Sequence, residues 1–255
     1  MPTEIPIATT ERAREAATGP DPAEGVFETV LVLGGEVVEL DAHLERLAAS
    51  VSALYGIEVP PTARPRLVEA AAPLRLGRAR LSLAPAAGPP RCEIAAAAVD
   101  SRLHFPPVER PTALVSAPLP GGLGPHKWSD RSALPTPPGA TALIVEPDGE
   151  VLEAGRANVF ALCDGILATP PRDGRILPGI TRAAVIALAR GEGIVVRESR
   201  LDRADLLAAD GVLLSGSVRG LEAAGSLDGQ PLRSPGEVLD RLAGLLRRRW
   251  ATRRG

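Results

Sequence analysis

The sequence predicts an α+β fold in two unequal domains. Hairpin signals alternate with amphipathic helical stretches, without the sustained strand–helix–strand rhythm of a doubly wound sheet. A glycine–proline cluster at 118–126, "PLPGGLGPH", breaks all periodicity near the middle of the chain. The length, 255 residues, is enough for one large domain or two modest ones, each with a buried core.

The elements follow in order. Residues 1–24 are polar and punctuated by proline, and read as an irregular arm. "GVFETVLVL" (25–33) is rich in β-branched residues, and the glycine pair at 34–35 turns it into "EVVEL". "DAHLERLAASVSALYG" (41–56) reads as a helix with Asp41 as N-cap and Gly56 just past its end. Its buried stripe is Leu40, Leu44, Leu47, Val51 and Leu54, with His43 and Arg46 projecting together from a neighbouring face. A second helix is expected at 65–76, then strands at 79–84, 92–98 and 112–117. Beyond the glycine–proline cluster, strands are expected at 141–146, 150–153, 157–162 and 166–168, with Asp-Gly pairs at 148–149 and 164–165 making turns. A helix at 181–193, a strand at 194–200, a short helix at 202–209, a strand at 211–215 and a last helix from about 235 complete the chain.

Composition narrows the function. Net charge is −2, so no global basic field attracts nucleic acid or an anionic membrane, and aromatics are only 2%, too few for stacked bases. The longest apolar runs, such as "IAAAAV" at 94–99, fall far short of a membrane span, and no signal peptide is visible. Cys92 and Cys163 stand 71 residues apart without a CxxC or Cys/His cluster; they read as two buried thiols in a reducing cytoplasm, with a disulfide left open. His104 and His126 lack the partner spacing of metal ligands, so no metal is expected.

Four stretches carry more chemistry than packing requires. Lys127, in "GPHKWSDR" (124–131), is the only lysine among 29 basic residues; a desolvated lysine amine gives up its proton and forms Schiff bases, as arginine cannot. "EAGRANVF" (153–160) places Glu153 at the end of one strand and Asn158 at the start of the next. "ILPGITR" (176–182) delivers backbone N–H groups and Thr181 to a helix N-terminus, where phosphates bind. "LSGSVRG" (214–220) runs a strand into small residues whose N–H and hydroxyl groups suit an anion. Singly, each is also an ordinary turn, hairpin or cap. Together, Lys127, Glu153, Thr181, Ser217 and Arg46 supply what pyridoxal phosphate needs: an amine for its aldehyde, an acid near its pyridine nitrogen, and a multipoint phosphate clamp.

The order "GVFETVLV", "DAHLERLAAS", "HKWSDR", "EAGRANVF", "TPP", "ILPGITR", "LLSGSVRG" resembles the fold-type IV (class IV) pyridoxal-phosphate enzymes over roughly residues 25–230. That family includes branched-chain and D-amino acid aminotransferases and aminodeoxychorismate lyases. The resemblance implies that Lys127 is the Schiff-base lysine and proton shuttle, and that Glu153 pairs with the pyridine nitrogen. It assigns the phosphate to Arg46, Ile180, Thr181 and Ser217, and makes Asn158 a brace. Under it, His43 and Glu28 are structural, Trp128 shields Lys127, and Arg219 and Arg156 are candidates to meet a substrate carboxylate.

The D-amino acid aminotransferase-like architecture so implied has an arm at 1–24, a smaller N-terminal α/β domain at 25–118, an interdomain loop at 119–126 and a larger C-terminal domain at 127–255. Relatives are homodimers. "TGPDPAEGVFET" and "SVRGLEAAGSLDG" look closest to aminodeoxychorismate lyases, particularly those fused to aminodeoxychorismate synthase, which becomes a possible functional partner. The implied reaction converts 4-amino-4-deoxychorismate to 4-aminobenzoate and pyruvate in folate biosynthesis. The alternatives are a class IV aminotransferase acting on a branched-chain or D-amino acid or an amine with a keto acid, and a non-catalytic protein on the same scaffold. Asp130, where relatives often carry asparagine, and Arg156, bulkier than the usual small residue, are departures from the family's pattern.

Overall fold

A computed structural model describes residues 19–252; most of the arm expected at 1–24, and the last three residues of the arginine-rich tail, lie outside the described residues. The elements form an α+β fold of two sheets. The first sheet, β1 (Val26–Leu33), β2 (Glu36–Val37), β3 (Leu76–Ala84) and β4 (Arg91–Ala98), is antiparallel in the order β2-β1-β3-β4. Strand alternation sends Val26, Glu28, Val30 and Val32 to one face, where α1 (Leu40–Tyr55) and α2 (Ala63–Ala71) pack through Leu47, Val51 and Leu67. Phe27 and Thr29 point the opposite way.

The second sheet has nine strands: β5 (Thr112–Pro118), β6 (Ala140–Val145), β7 (Val151–Ala154), β8 (Asn158–Cys163), β9 (Ile166–Thr169), β10 (Val195–Glu198), β11 (Gly211–Gly216), β12 (Gly220–Leu227) and β13 (Gln230–Pro231). The hydrogen-bonded path runs β10-β9-β8-β11-β12-β5-β6-β7, with β13 on β12, and a bridge from Ala154 to Ala157 brings β7 back beside β8. The sheet is therefore curled. α3 (Ile180–Gly191) and α5 (Gly236–Thr252) cover one side through Val185, Leu242 and Leu246 against Phe160 and Leu213; α4 (Arg203–Ala208) seals another part of the core through Leu206.

The sheets are tied where the lysine sits. Phe27 N donates to Lys127 O (2.8 Å), Ser129 N donates to Gly25 O (2.9 Å), and Val26 bridges Trp128. Gly25 is required there: its φ is +80°, and a Cβ would stand 2.2 Å from Leu83 O.

Several sequence expectations change. The N-cap of α1 is Glu39, at φ +53°, not Asp41; Asp41 lies in the first turn and pairs with Arg64. The second helix ends at Ala71 rather than running to residue 76, because Pro73 has no N–H to donate to a continuing helix, although Ala72 before it keeps helical backbone; β3 starts at Leu76 instead. β12 and β13 were not expected at all. β5 belongs hydrogen-bond by hydrogen-bond to the nine-stranded sheet, pairing β12 and β6, so the chain passes between sheets in residues 99–111, ahead of the expected loop at 119–126. Cys92 and Cys163 are free thiols, partly rather than fully buried. Among the described residues, no helix is long and apolar enough to cross a membrane.

Candidate active site

Lys127, Glu153, Arg46, Ile180, Thr181 and Ser217 line one cleft of about 520 Å³ between the two sheets. They arrive from separate elements: Lys127 from the segment tied to β1, Glu153 from β7, Arg46 from α1, Ile180 and Thr181 from the start of α3, and Ser217 from the β11–β12 turn.

The lysine is poised to lose its proton. Burial, with the Arg46 charge nearby, lowers its pKa to about 8, against which the Glu28 and Glu153 carboxylates act only in part. Its ammonium lies 5.0 Å from the Phe27 ring centroid. Trp128 is buried beside it, donating Nε1–H to Leu123 O (2.8 Å), and so walls off the base of the loop. Asp130 turns away: it accepts from Asp21 N and Ser132 N, both at 2.8 Å, and caps the local turn.

Glu153 is the reverse case. It is 5% exposed, and burial raises its pKa to about 7 despite the Leu177 N–H (3.2 Å) and the surrounding cations. Asn158 Nδ2 donates to Glu153 Oε2 (3.3 Å) and to Leu177 O (3.0 Å), locking β7, β8 and the loop before α3 together. The Asn158 amide oxygen rests against Gly179, where a Cβ would meet it at 1.9 Å.

At the other side of the cleft, α3 follows Gly179 as its N-cap with no side-chain cap, leaving first-turn N–H groups open beside Thr181. Arg46 spends Nε and Nη2 on a two-pronged pair with Glu28 (2.7 Å each) and one Nη1 hydrogen on Pro178 O (3.0 Å), which leaves two N–H groups on its terminal nitrogens. Glu28, 2% exposed, also takes His43 Nδ1 (2.7 Å). Burial pushes its carboxyl upward, but His43 and Arg46 more than reverse this and hold it at about 2. His43, lowered by burial, reaches on to Ser217 Oγ through Nε2 (3.5 Å). The strand brace and helix–sheet contact expected of Glu28 and His43 is thus a relay joining Arg46 to Ser217.

Arg156 lines the same cleft, whereas Arg219 stands in an adjoining chamber. Three further residues escaped the sequence reading. Arg131 lines both spaces and donates to Gly155 O; its signal was its place four residues past the lysine. Ser215, 2% exposed, lines the cleft with a hydroxyl that has no partner. Glu222, 1% exposed, holds both Arg156 and Arg219; it sits on the unforeseen β12, so alternation could not place it.

A buried lysine, a buried carboxyl and an uncapped helix N-terminus in one cleft are the parts that an enzyme working on amines with a phosphate-bearing cofactor needs. The chain matches the family described as amino-transferase class IV over residues 25–116 and 138–224, more than half its length. It belongs to that family. It is 41% identical over 87 residues to the branched-chain-amino-acid aminotransferase of Escherichia coli (strain K12), a stretch covering 34% of this chain and 28% of that enzyme. Among solved structures, 4-amino-4-deoxychorismate lyase from Pseudomonas aeruginosa is 25% identical with a TM-score of 0.75, covering 89% of this chain and 91% of that one. The pyridoxal-phosphate-bound form of a hypothetical aminotransferase from Mycobacterium tuberculosis is 25% identical with a TM-score of 0.74, covering 91% and 90%.

Proposed function

We propose that this chain is a pyridoxal-phosphate-dependent lyase that converts 4-amino-4-deoxychorismate to 4-aminobenzoate and pyruvate. The observation that carries the reading is the convergence of Lys127, Glu153 and the Arg46–Thr181–Ser217 end on one cleft. The likeness to the Pseudomonas aeruginosa lyase over most of both chains supports the choice of reaction.

The cleft's donor set fits the cofactor. Lys127 would anchor it covalently, Glu153 would face its ring nitrogen, and Arg46, the Ile180 and Thr181 N–H groups, and the Thr181 and Ser217 hydroxyls would take its phosphate. The unpartnered Ser215 hydroxyl, buried in the same lining, is the kind of atom a bound polar group satisfies. When bound, pyridoxal phosphate supplies an electrophilic carbon for amines and a ring that accepts the electron pair released from substrate.

The chain's own groups do the rest. With its pKa at about 8, Lys127 Nζ takes and returns a proton near neutral pH, removing one from the substrate ring and returning one as the enolpyruvyl group departs. Aromatisation supplies much of the driving force, so the protein chiefly orients substrate and relays protons. Trp128 and Leu123 exclude water beneath the lysine.

The division into a smaller and a larger domain belongs to this proposal, with the chain crossing at 99–111. So do a homodimer, a cytoplasmic location and a working partnership with aminodeoxychorismate synthase. The aminotransferase reading stays as the second one, favoured by the identity to the Escherichia coli enzyme over 87 residues. The test is incubation with aminodeoxychorismate beside a panel of amino acids plus a keto acid. Release of 4-aminobenzoate and pyruvate supports the lyase; amino transfer without that release overturns it.

A further inference from the structure

Beside the lysine, a second chamber, open to solvent, spreads over the outer face of the first sheet. Its apolar wall is Phe27, Ala98, Val99 and Leu103, and Leu103 is 45% exposed. Its charged lining is lopsided: Arg78, Arg131, Arg156, Arg219 and Lys127 face a single acid, Asp100, which Arg102 already engages with its backbone N–H and guanidinium. A wall for a ring beside an excess of positive charge is a place for an aromatic or cyclic anion.

Behind the lining, Glu222 fixes two of these arginines. Arg219 gives it Nε (2.8 Å) and Nη2 (2.5 Å), Arg156 gives it Nη1, and Thr112 Oγ1 donates to it at 2.8 Å. Arg156 is held further by Thr112 Oγ1 (3.1 Å) and Thr141 Oγ1 (3.3 Å). One buried carboxylate shared by two guanidinium groups leaves a full unit of positive charge. Of five N–H groups each, Arg156 keeps two unspent and Arg219 keeps three. Neutralising Glu222 needs only one arginine; the second is surplus to packing, and both side chains line the chamber.

We propose that Arg156 and Arg219, set in place by the buried Glu222, form a carboxylate-binding subsite that makes this enzyme select amines carrying two carboxylates on or beside a ring over those carrying one. The inference rests on the proposed amine chemistry at Lys127 and adds to it the residues that select for a second carboxylate. The single-carboxylate ligand meets only the groups near Lys127; the second carboxylate adds charge-assisted, two-pronged hydrogen bonds to fixed donors. Glu222 is a positioning residue, touching substrate only through the arginines.

The test is calorimetric binding to the cofactor-loaded protein, comparing 5-aminoisophthalate with 3-aminobenzoate, which differ by one carboxylate. The wild-type protein should bind the dicarboxylate at least about tenfold more tightly. In Arg156→Gln and Arg219→Gln that ratio should fall to within about twofold of unity, while the cofactor's visible band is kept. Each arginine variant strips hydrogen bonds from the buried Glu222, although the other guanidinium still neutralises it, so the Arg156→Gln/Glu222→Gln double variant separates folding from recognition: it should match or exceed the single variant's melting temperature without regaining the ratio. Equal binding of the two ligands by wild type, a ratio that survives both arginine variants, or a ratio restored in the double variant overturns the proposal. No turnover is needed, so absent pyruvate release would sink the lyase reading and leave this preference standing or falling on its own.

Discussion

Two buried glutamates with opposite shifts show how the site is tuned residue by residue. Glu28, held at about 2 by His43 and Arg46, contributes stability that is fully present above its unfolded value of 4.5 and is lost as pH falls through about 2. Glu153, raised to about 7 by burial, works the other way: the folded protein holds its proton more tightly, so stability declines as pH rises from 4.5 to 7. The decline amounts to about 3 kcal/mol. Denaturant unfolding of the cofactor-free protein at pH 5 and pH 8 should show it, and Glu153→Gln should flatten that dependence while cutting turnover by about a hundredfold or more. Glu28→Gln should loosen pyridoxal phosphate by about tenfold in a fluorescence titration, because Arg46 loses the carboxylate that aims it. At this scale much was legible. A lone lysine, a glutamate before a turn and a His-x-x-Arg pair stand out by residue type. What was hidden was partnership: Arg46 serving Glu28, and Glu222 serving two arginines, link residues far apart in sequence.

At the scale of elements, α3 turns its uncapped N-terminus onto the cleft, and its start depends on small volumes. Gly179→Ala would drive a Cβ into the Asn158 amide oxygen and displace the side chain that links Glu153 to Leu177. The expected result is a weaker hold on the cofactor at both its ring and phosphate ends, seen as faster cofactor loss on gel filtration. Gly56, at φ +65° past α1, meets open space, so Gly56→Ala should cost only about 1 kcal/mol in denaturant unfolding and leave cofactor binding alone. Helices with a clear stripe and a glycine stop, such as α1, were readable in the sequence. β12 was not, because "GLEAAGSL" mixes small residues with a glutamate and lacks the β-branched alternation that marks β1. Its identity comes from pairing β11 on one side and β5 on the other, which no local pattern reveals.

At the scale of the whole molecule, the cleft exists because two sheets are stitched at the lysine. The backbone bonds of Phe27 and Ser129 and the reach of Arg46 to Pro178 O hold one sheet's residues against the other's. A ligand that bridges both sides should stabilise the pair by mass action, so saturating pyridoxal phosphate should raise the melting temperature of the wild-type protein by several degrees. The α+β character was visible in the sequence's rhythm; the division into these two sheets was not. The crossing point was not, since the glycine–proline cluster is the louder signal, yet β5, which precedes it, already belongs to the second sheet. That cluster instead shapes the approach to Lys127.

The central claim is that this lysine carries the cofactor. The chain has one lysine, so borohydride reduction of the cofactor-loaded protein, followed by digestion and peptide mass mapping, reads the claim directly. The visible band should bleach, the reduced pyridoxyl mass should appear on the peptide containing Lys127, and Lys127→Ala should show neither. A label absent from that peptide, or a reducible band kept by Lys127→Ala, would contradict the account.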